Sequence, residues 1–152
     1  MTTVVNLGGY IIAIHSKSED YGVKRKYFRK ARAEALNSPS RFMIGAVLIR
    51  GHNIIGSGCN DQKKSHRDIK ALAEDDYKEI VGIHAEFAAC KGLRPYDIGD
   101  RADMYVYRIR RDTWGPGLAR PCDICIQILQ EKGIRRVFYT IGEDEYGQLY
   151  IR

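Results

Sequence analysis

The chain has no apolar run approaching the roughly 18 residues of a membrane-spanning helix, so no membrane partner is expected. Residues Met1 to Asp20 lack the cationic start and small-residue cleavage site of a secretory leader, which points to the cytoplasm. Cysteine is scarce: only Cys59, Cys90, Cys122 and Cys125 occur. In a chain without an export signal, four such residues suggest thiols or metal ligands in a reducing compartment rather than a disulfide framework. There is no internal repeat, low-complexity tract or linker, and only four prolines. With 152 residues and 44% apolar content, the expectation is a single domain over 1–152, with 1–21 as an N-terminal extension. The run VVNLGGYIIAI in that extension has strand character but no assignable place. Acidic residues are outnumbered, 19 against 25 Lys and Arg, and the net charge of +6 favours an anionic partner such as a nucleotide, nucleic acid or phosphate.

Periodicity orders the remainder. Phe28, Ala31, Ala35 and Leu36 recur at helical spacing between Lys24 and Leu36, with a cationic remainder, and Pro39 follows. FMIGAVLIR and NIIGSG are two apolar runs joined by Gly51 and His52, the pattern of an antiparallel hairpin. The polar segment from Asn60 to Val81 holds one short helix, around Ile69 to Tyr77. Ile83, Phe87 and Cys90 form the buried stripe of a helix that stops at Gly92, with Pro95 beyond. Met104 to Ile109 reads as a third strand, on which Tyr105 and Tyr107 serve core or subunit packing. A helix starting at Pro121 runs to Gly133 with Ile124, Ile128 and Leu129 inward. RRVFYT and QLYIR are the last strands, and GEDEYG between them is too short for a crossover helix, so they pair antiparallel. The order predicts an α/β fold with a mixed five-stranded sheet.

Two pieces carry chemistry: His84-Ala85-Glu86 and Pro121-Cys122-Asp123-Ile124-Cys125. Both stand at helix starts, where free N–H groups and partial positive charge favour thiolates. Cys122 and Cys125, three apart, suit one tetrahedral ion. With His84 they make three protein ligands and leave a fourth position open, the mark of a catalytic zinc. Two thiolates cancel the ion's charge, so a nearby base becomes useful, and Glu86 is placed to be it.

The paired signature, H-x-E with P-C-x-x-C, is that of zinc deaminases. From about Phe42 to the C-terminus the chain resembles the cytidine and deoxycytidylate deaminase family, and in particular its small phage and bacterial members. The resemblance is carried by the first hairpin, GCNDQKKSH, the HAE helix, MYVYRI, the PCDIC helix and VFYT. It implies a three-layer α/β/α fold, zinc held by His84, Cys122 and Cys125, and Glu86 moving protons between water, the ring nitrogen and the departing amine. It places Asn60 at the sugar or base, matches His66 to a histidine of phage-type members, and makes Ala85 a substrate neighbour. A homo-oligomer is implied as well, in a host cytoplasm if the gene is phage-borne. Arg120 departs from the family, where glutamate or a small polar residue is common. Lys63, Lys64 and Arg120 are candidates for a phosphate, and Trp114 for stacking on a base.

The leading expectation is hydrolytic deamination of a cytosine nucleotide, dCMP to dUMP. The alternatives are a deaminase acting on cytosine or adenine within single-stranded DNA or RNA, with the basic first helix along the backbone, and a zinc-stabilised binding module without catalysis. A closed structural site would need Cys59 or Cys90 as fourth ligand. Neither belongs to a second CxxC pair, so Cys90 is expected in the core and Cys59 packed near a strand end.

Overall fold

The computed structural model describes residues 2–7, 10–18, 21–63 and 82–151. The helix expected at 69–77, together with Lys64 and His66, lies outside the described residues. Strand β3 (Met43–Arg50) buries both its faces: Ala46 and Leu48 belong to one core cluster, Val47 and Ile49 to the other. Strand β5 (Ala102–Ile109) does the same with Met104 and Val106 against Tyr105 and Tyr107. A strand covered on both sides needs a near-continuous apolar run rather than alternation. MIGAVLIR and MYVYRI supply it, so they take interior positions in the sheet.

Beside β3 lies β4 (Asn53–Cys59), its antiparallel hairpin partner. Beside β5 lies β7 (Arg136–Thr140), the parallel neighbour, reached through the crossover helix that parallel strands require. β8 (Glu145–Tyr150) follows β7 antiparallel, as its short connection demands. The expected five strands become eight. The run VVNLGGYIIAI supplies a hairpin of β1 (Thr2–Leu7) and β2 (Tyr10–Ser16), and β2 pairs antiparallel with β8. A two-residue β6 (Pro116–Gly117) pairs with β5. The path is β1-β2-β8-β7-β5-β3-β4, with β6 off it.

Helix α1 (Gly22–Ala35) covers one face. Tyr27, Phe28, Ala31 and Ala35 are buried against Val47, Tyr105 and Phe138, while Arg25, Lys26, Arg29 and Lys30 face outward. Leu36 was expected in this stripe but is 47% exposed, because the helix ends before it and Tyr27 fills the apolar face instead. Phe28 is 1% exposed; losing such a ring costs about 3–5 kcal/mol. Helices α2 (Ala85–Cys90) and α4 (Asp123–Lys132) cover the opposite face, giving the α/β/α layering. α2 sits flush on β4 because a Cβ at Gly56 would overlap the Ala89 carbonyl oxygen. Pro95 does more than follow a helix: it opens a single turn, α3 (Pro95–Ile98). Among the described residues no helix is long and apolar enough to cross a membrane.

Candidate metal and catalytic centre

The segment that carries His84 is shaped before the helix begins. Gly82 takes φ 85, where a Cβ would collide with the Asp61 carbonyl oxygen, and lets Ile83 exchange two backbone hydrogen bonds of 2.9 Å with Asp61. His84 is then extended, φ −82 and ψ 154, and is the last residue before the first turn of α2. The second segment is fixed from β7. The Thr140 hydroxyl donates to the Gly117 carbonyl (2.6 Å) and accepts from the Arg108 N–H (3.1 Å), while the Ala119 N–H reaches the Thr140 carbonyl (2.9 Å). That leads the chain into Cys122, also extended, φ −73 and ψ 166. Cys122 is the N-cap of α4, so Pro121 stands one residue outside the helix it was expected to start.

His84 Nδ1 lies 3.2 Å from Cys125 Sγ and 3.6 Å from Cys122 Sγ, and all three donor atoms fall within 4.8 Å of one another. A tetrahedral zinc with its usual N and S bond lengths has an N···S edge of about 3.6 Å and an S···S edge of about 3.8 Å. The donor set fits that ion. Among the described residues the group contains these three and neither Cys59 nor Cys90. Cys90 is fully buried on the apolar stripe, and burial pushes its thiol up to about 11. The closed-site reading therefore lacks its fourth ligand.

Among the protein groups alone, one proton is contested. Cys125 donates to Cys122, which with the His84 contact brings Cys122 down to about 4; the same bond and burial push Cys125 up. His84 is raised, first by its hydrogen bond to Cys122. Glu86, second residue of α2 and 5% exposed, is raised because burial penalises its charge, with His84 opposing. Such a carboxyl can take a proton and give it back more readily than one in water.

A cavity of about 360 Å³ opens over this group. It collects His84, Ala85, Glu86, Cys122, Asn60 and Arg120 from the residues that sequence singled out, while Cys125 stands behind as a donor. Asn60 lines it with its amide already engaged: Oδ1 accepts from the Ser38 hydroxyl (2.6 Å) and the Ile44 N–H (3.0 Å), and Nδ2 donates to the Phe42 carbonyl (2.6 Å). Lys63 is exposed and does not line the cavity. Trp114 does not either; it sits on the turn after β5 with φ 61 and its ring half exposed.

Among the cavity residues that the sequence reading did not single out are Phe42 and Arg108. The Arg108 guanidinium lies 4.8 Å from the Phe42 ring centroid, and its Nε is buried with no acceptor among the described residues. A signal for Arg108 existed: it shares the parity of Met104 and Val106, whose face packs on α2 and α4.

A family model described as the cytidine and deoxycytidylate deaminase zinc-binding region matches residues 22–141. No curated protein matches the chain by sequence. The dCMP deaminase of cyanophage S-TIM5 in complex with dCMP and dUMP superposes with a TM-score of 0.51 at 16% identity, over 78% of this chain and 80% of that one. A mutant cytidine deaminase from Mycobacterium tuberculosis gives 0.50 at 19% identity, over 78% and 89%. At these identities the likeness establishes the fold.

Proposed function

The chain belongs to the cytidine and deoxycytidylate deaminase family of zinc-dependent enzymes, and from that premise we propose that it converts dCMP to dUMP with release of ammonia. The observation that carries the proposal is the composition of one cavity: the Glu86 carboxyl and the ligand side chains His84 and Cys122 share it with two guanidinium groups, Arg108 and Arg120. Its volume lies at the small end of the usual range for ligand sites, about 300–1,000 Å³. One part suits a base and the other an anionic group attached to it. The dCMP and dUMP bound by the S-TIM5 enzyme favour the same pair here.

His84, Cys122 and Cys125 would hold the zinc, which when bound would supply the Lewis acidity that makes water nucleophilic near neutral pH. Glu86 takes a proton from the attacking water as the bond from oxygen to C4 of cytosine forms, and delivers it to N3. It then carries the second proton to the exocyclic amine, the bond from C4 to that nitrogen breaks, and ammonia leaves. Burial prepares the carboxyl for this exchange, since it disfavours the charged form that must pick up the proton. Arg108 and Arg120, whose guanidinium groups line the cavity, meet the 5′-phosphate, and charge-assisted hydrogen bonds of this kind are the strong ones.

Ammonia release measured across cytidine, deoxycytidine, CMP, dCMP and the adenine counterparts tests this. Turnover greatest on dCMP is expected. Equal turnover on deoxycytidine would remove the phosphate reading, and turnover confined to adenine compounds would remove the base.

A further inference from the structure

Part of the catalytic cavity's wall is a loop. Residues 36–42 join α1 to β3, and Phe42, the last of them, lines the cavity. Because β3 lies between β4 and β5, this loop runs between the chain that leaves β4 and the chain that leaves β5, and both hold it. On the β4 side the Ser38 hydroxyl donates to Asn60 Oδ1 (2.6 Å) and accepts from the Ser40 N–H (3.2 Å), while Asn60 Nδ2 donates to the Phe42 carbonyl (2.6 Å). The Ser40 hydroxyl accepts from the Gln62 N–H (3.0 Å). Ser38 and Ser40 are buried, so these hydroxyls belong to the interior rather than to a solvated turn.

On the β5 side one residue makes the ties. Arg111, in the turn after β5, donates its Nε–H to the Arg41 carbonyl (2.7 Å) and an Nη2–H to the Ser40 carbonyl (2.8 Å). Two donors on two successive carbonyls use the planar fork of a guanidinium, which a single ammonium group does not reproduce. Among the described residues Arg111 forms no ion pair with a carboxylate; its neighbour Asp112 pairs with Arg110 at 2.6 Å. Nor does Arg111 line the catalytic cavity. It lines an adjoining one of about 280 Å³ together with Arg41, Phe42 and Arg108. Its fork is thus committed to the loop backbone, immediately ahead of Phe42.

We propose that Arg111 is a positioning residue for the substrate: it holds the backbone of this loop so that Phe42 stands in place at the cavity before the nucleotide arrives. The inference rests on the reading that the cavity receives a cytosine nucleotide. Without the fork, the Ser40 and Arg41 carbonyls turn to water, the loop samples several conformations, and a nucleotide must order it on binding. The fork removes that cost in advance. The Phe42 ring lies 4.8 Å from the Arg108 guanidinium, so a displaced loop also changes the surface against which that cation rests. The reacting groups are held elsewhere, by Ile83 and Asp61 ahead of His84 and by Thr140 and Gly117 ahead of Cys122. Loss of the fork therefore reaches substrate binding and spares the proton transfers.

The test uses the zinc-loaded full chain. Arg111→Met keeps the apolar stem and loses the fork; it is expected to raise KM for dCMP about tenfold, the equivalent of releasing one residue's backbone, with kcat within about twofold of the wild type. Arg111→Lys keeps the charge and should stay close to Arg111→Met, so recovery of the wild-type KM would show an electrostatic role and overturn the proposal. In a Phe42→Ala background Arg111→Met should raise KM by less than about twofold, since the fork acts through that residue, and a full tenfold effect there also overturns it. Amide hydrogen exchange gives a reading free of turnover. The Ser40 and Ile44 N–H groups, held by Ser38 and Asn60, should exchange about tenfold faster in Arg111→Met. Unchanged exchange, or a fall in kcat and thermal midpoint with KM unmoved, removes the positioning role even where dCMP is turned over. Absence of cytosine turnover in the wild type removes the nucleotide reading, and faster exchange in Arg111→Met would still identify the residue that holds this wall of the cavity.

Discussion

His84 and Cys122 are counterparts on two helices. Each is the extended residue immediately before a first turn, and Nδ1 of one stands 3.6 Å from Sγ of the other. Neither side chain caps its own helix by a hydrogen bond; each is free to point at the other. The site is therefore a junction of two chain entries, one shaped by Gly82 and Ile83 and the other by Thr140 and Gly117. Its geometry belongs to the sheet as much as to the motifs.

Metal content follows from that junction. Purified protein is expected to hold about one zinc per chain, and Cys122→Ser to lose it, as read by elemental analysis. Free zinc at 100 times its Kd stabilises the fold by about 2.7 kcal/mol. At roughly 2–4 °C per kcal/mol, a chelator should lower the wild-type midpoint by about 5–10 °C and barely move that of Cys122→Ser. A variant that keeps its zinc and full activity removes Cys122 from the ligand set.

Glu86 offers a different separation. Glu86→Gln preserves the shape of the side chain and leaves His84, Cys122 and Cys125 untouched, so zinc content should match the wild type. Loss of general acid–base catalysis is worth about 10²–10⁴ in kcat. Because the wild-type carboxyl is buried and burial penalises its charge, the amide should not lower the thermal midpoint. Near-normal kcat in a zinc-replete Glu86→Gln protein would take the proton-moving role away from this residue.

Much of this arrangement was legible in the residues. The Ile83, Phe87 and Cys90 stripe marked a packed helix with His84 and Glu86 as the polar pair at its entry; all three residues are buried, but only Phe87 and Cys90 lie in α2, and Ile83 stands before it in a bridge to Asp61. The short connection before β8 was enough to make β7 and β8 antiparallel. The N-terminal hairpin was harder, because strand character in VVNLGGYIIAI does not reveal a partner. That partner, β8, lies more than a hundred residues away along the chain, and pairing exists only once β7 has placed it. Trp114, expected to stack on a base, does not line the cavity; it sits on the turn after β5 at a positive φ that its residue type does not announce. Asn60 lines the cavity, but its hydrogen bonds to the loop before β3 are tertiary and left no trace in the sequence.

Those bonds give Asn60 a positioning task that can be measured. Its amide joins Ser38, Phe42 and Ile44, and Phe42 and Ile44 line the catalytic cavity. Asn60→Ala leaves the Ile44 N–H and the Phe42 carbonyl without this partner, at a cost of about 1–3 kcal/mol, or roughly 3–10 °C in midpoint. KM for dCMP should rise with the loosened loop. Asn60→Asp keeps the acceptor and loses the donor, so it should fall between. A raised KM with unchanged midpoint in Asn60→Ala would instead make the amide a direct substrate contact.

Cys90 predicts how stability responds to alkali. Burial holds its thiol at about 11 against an ordinary value of 9.0, with Lys132 opposing. The folded state thus favours the protonated form. That contribution is whole below about pH 9 and is lost as pH rises towards about 11, a change of about 2–3 kcal/mol. Cys90→Ala removes the titration while losing some packing at every pH. In urea unfolding the variant should be weaker than wild type at about pH 8, and the gap should shrink by about 2 kcal/mol near pH 11. A gap of constant size would show that the Cys90 thiol does not titrate differently in the folded and unfolded chain.

Arg108 separates the phosphate reading from simple packing. Its backbone N–H is held by Thr140, its guanidinium lies against Phe42, and Nε–H is buried without an acceptor among the described residues. Arg108→Met keeps an unbranched apolar stem and removes the donors. If the guanidinium meets the 5′-phosphate, kcat/KM for dCMP should fall about 10–100-fold, the equivalent of roughly 1.5–3 kcal/mol, while deoxycytidine turnover stays unchanged. Arg108→Lys, with its charge kept and the planar fork lost, should recover part of the difference. If Arg108 serves only to hold Phe42, the two substrates lose equally, because neither the sugar nor the base depends on a phosphate. The thermal midpoint adds an independent reading. A buried donor without a partner is a cost to the free enzyme, so Arg108→Met should leave stability level or higher, whereas a purely structural arginine would take stability with it.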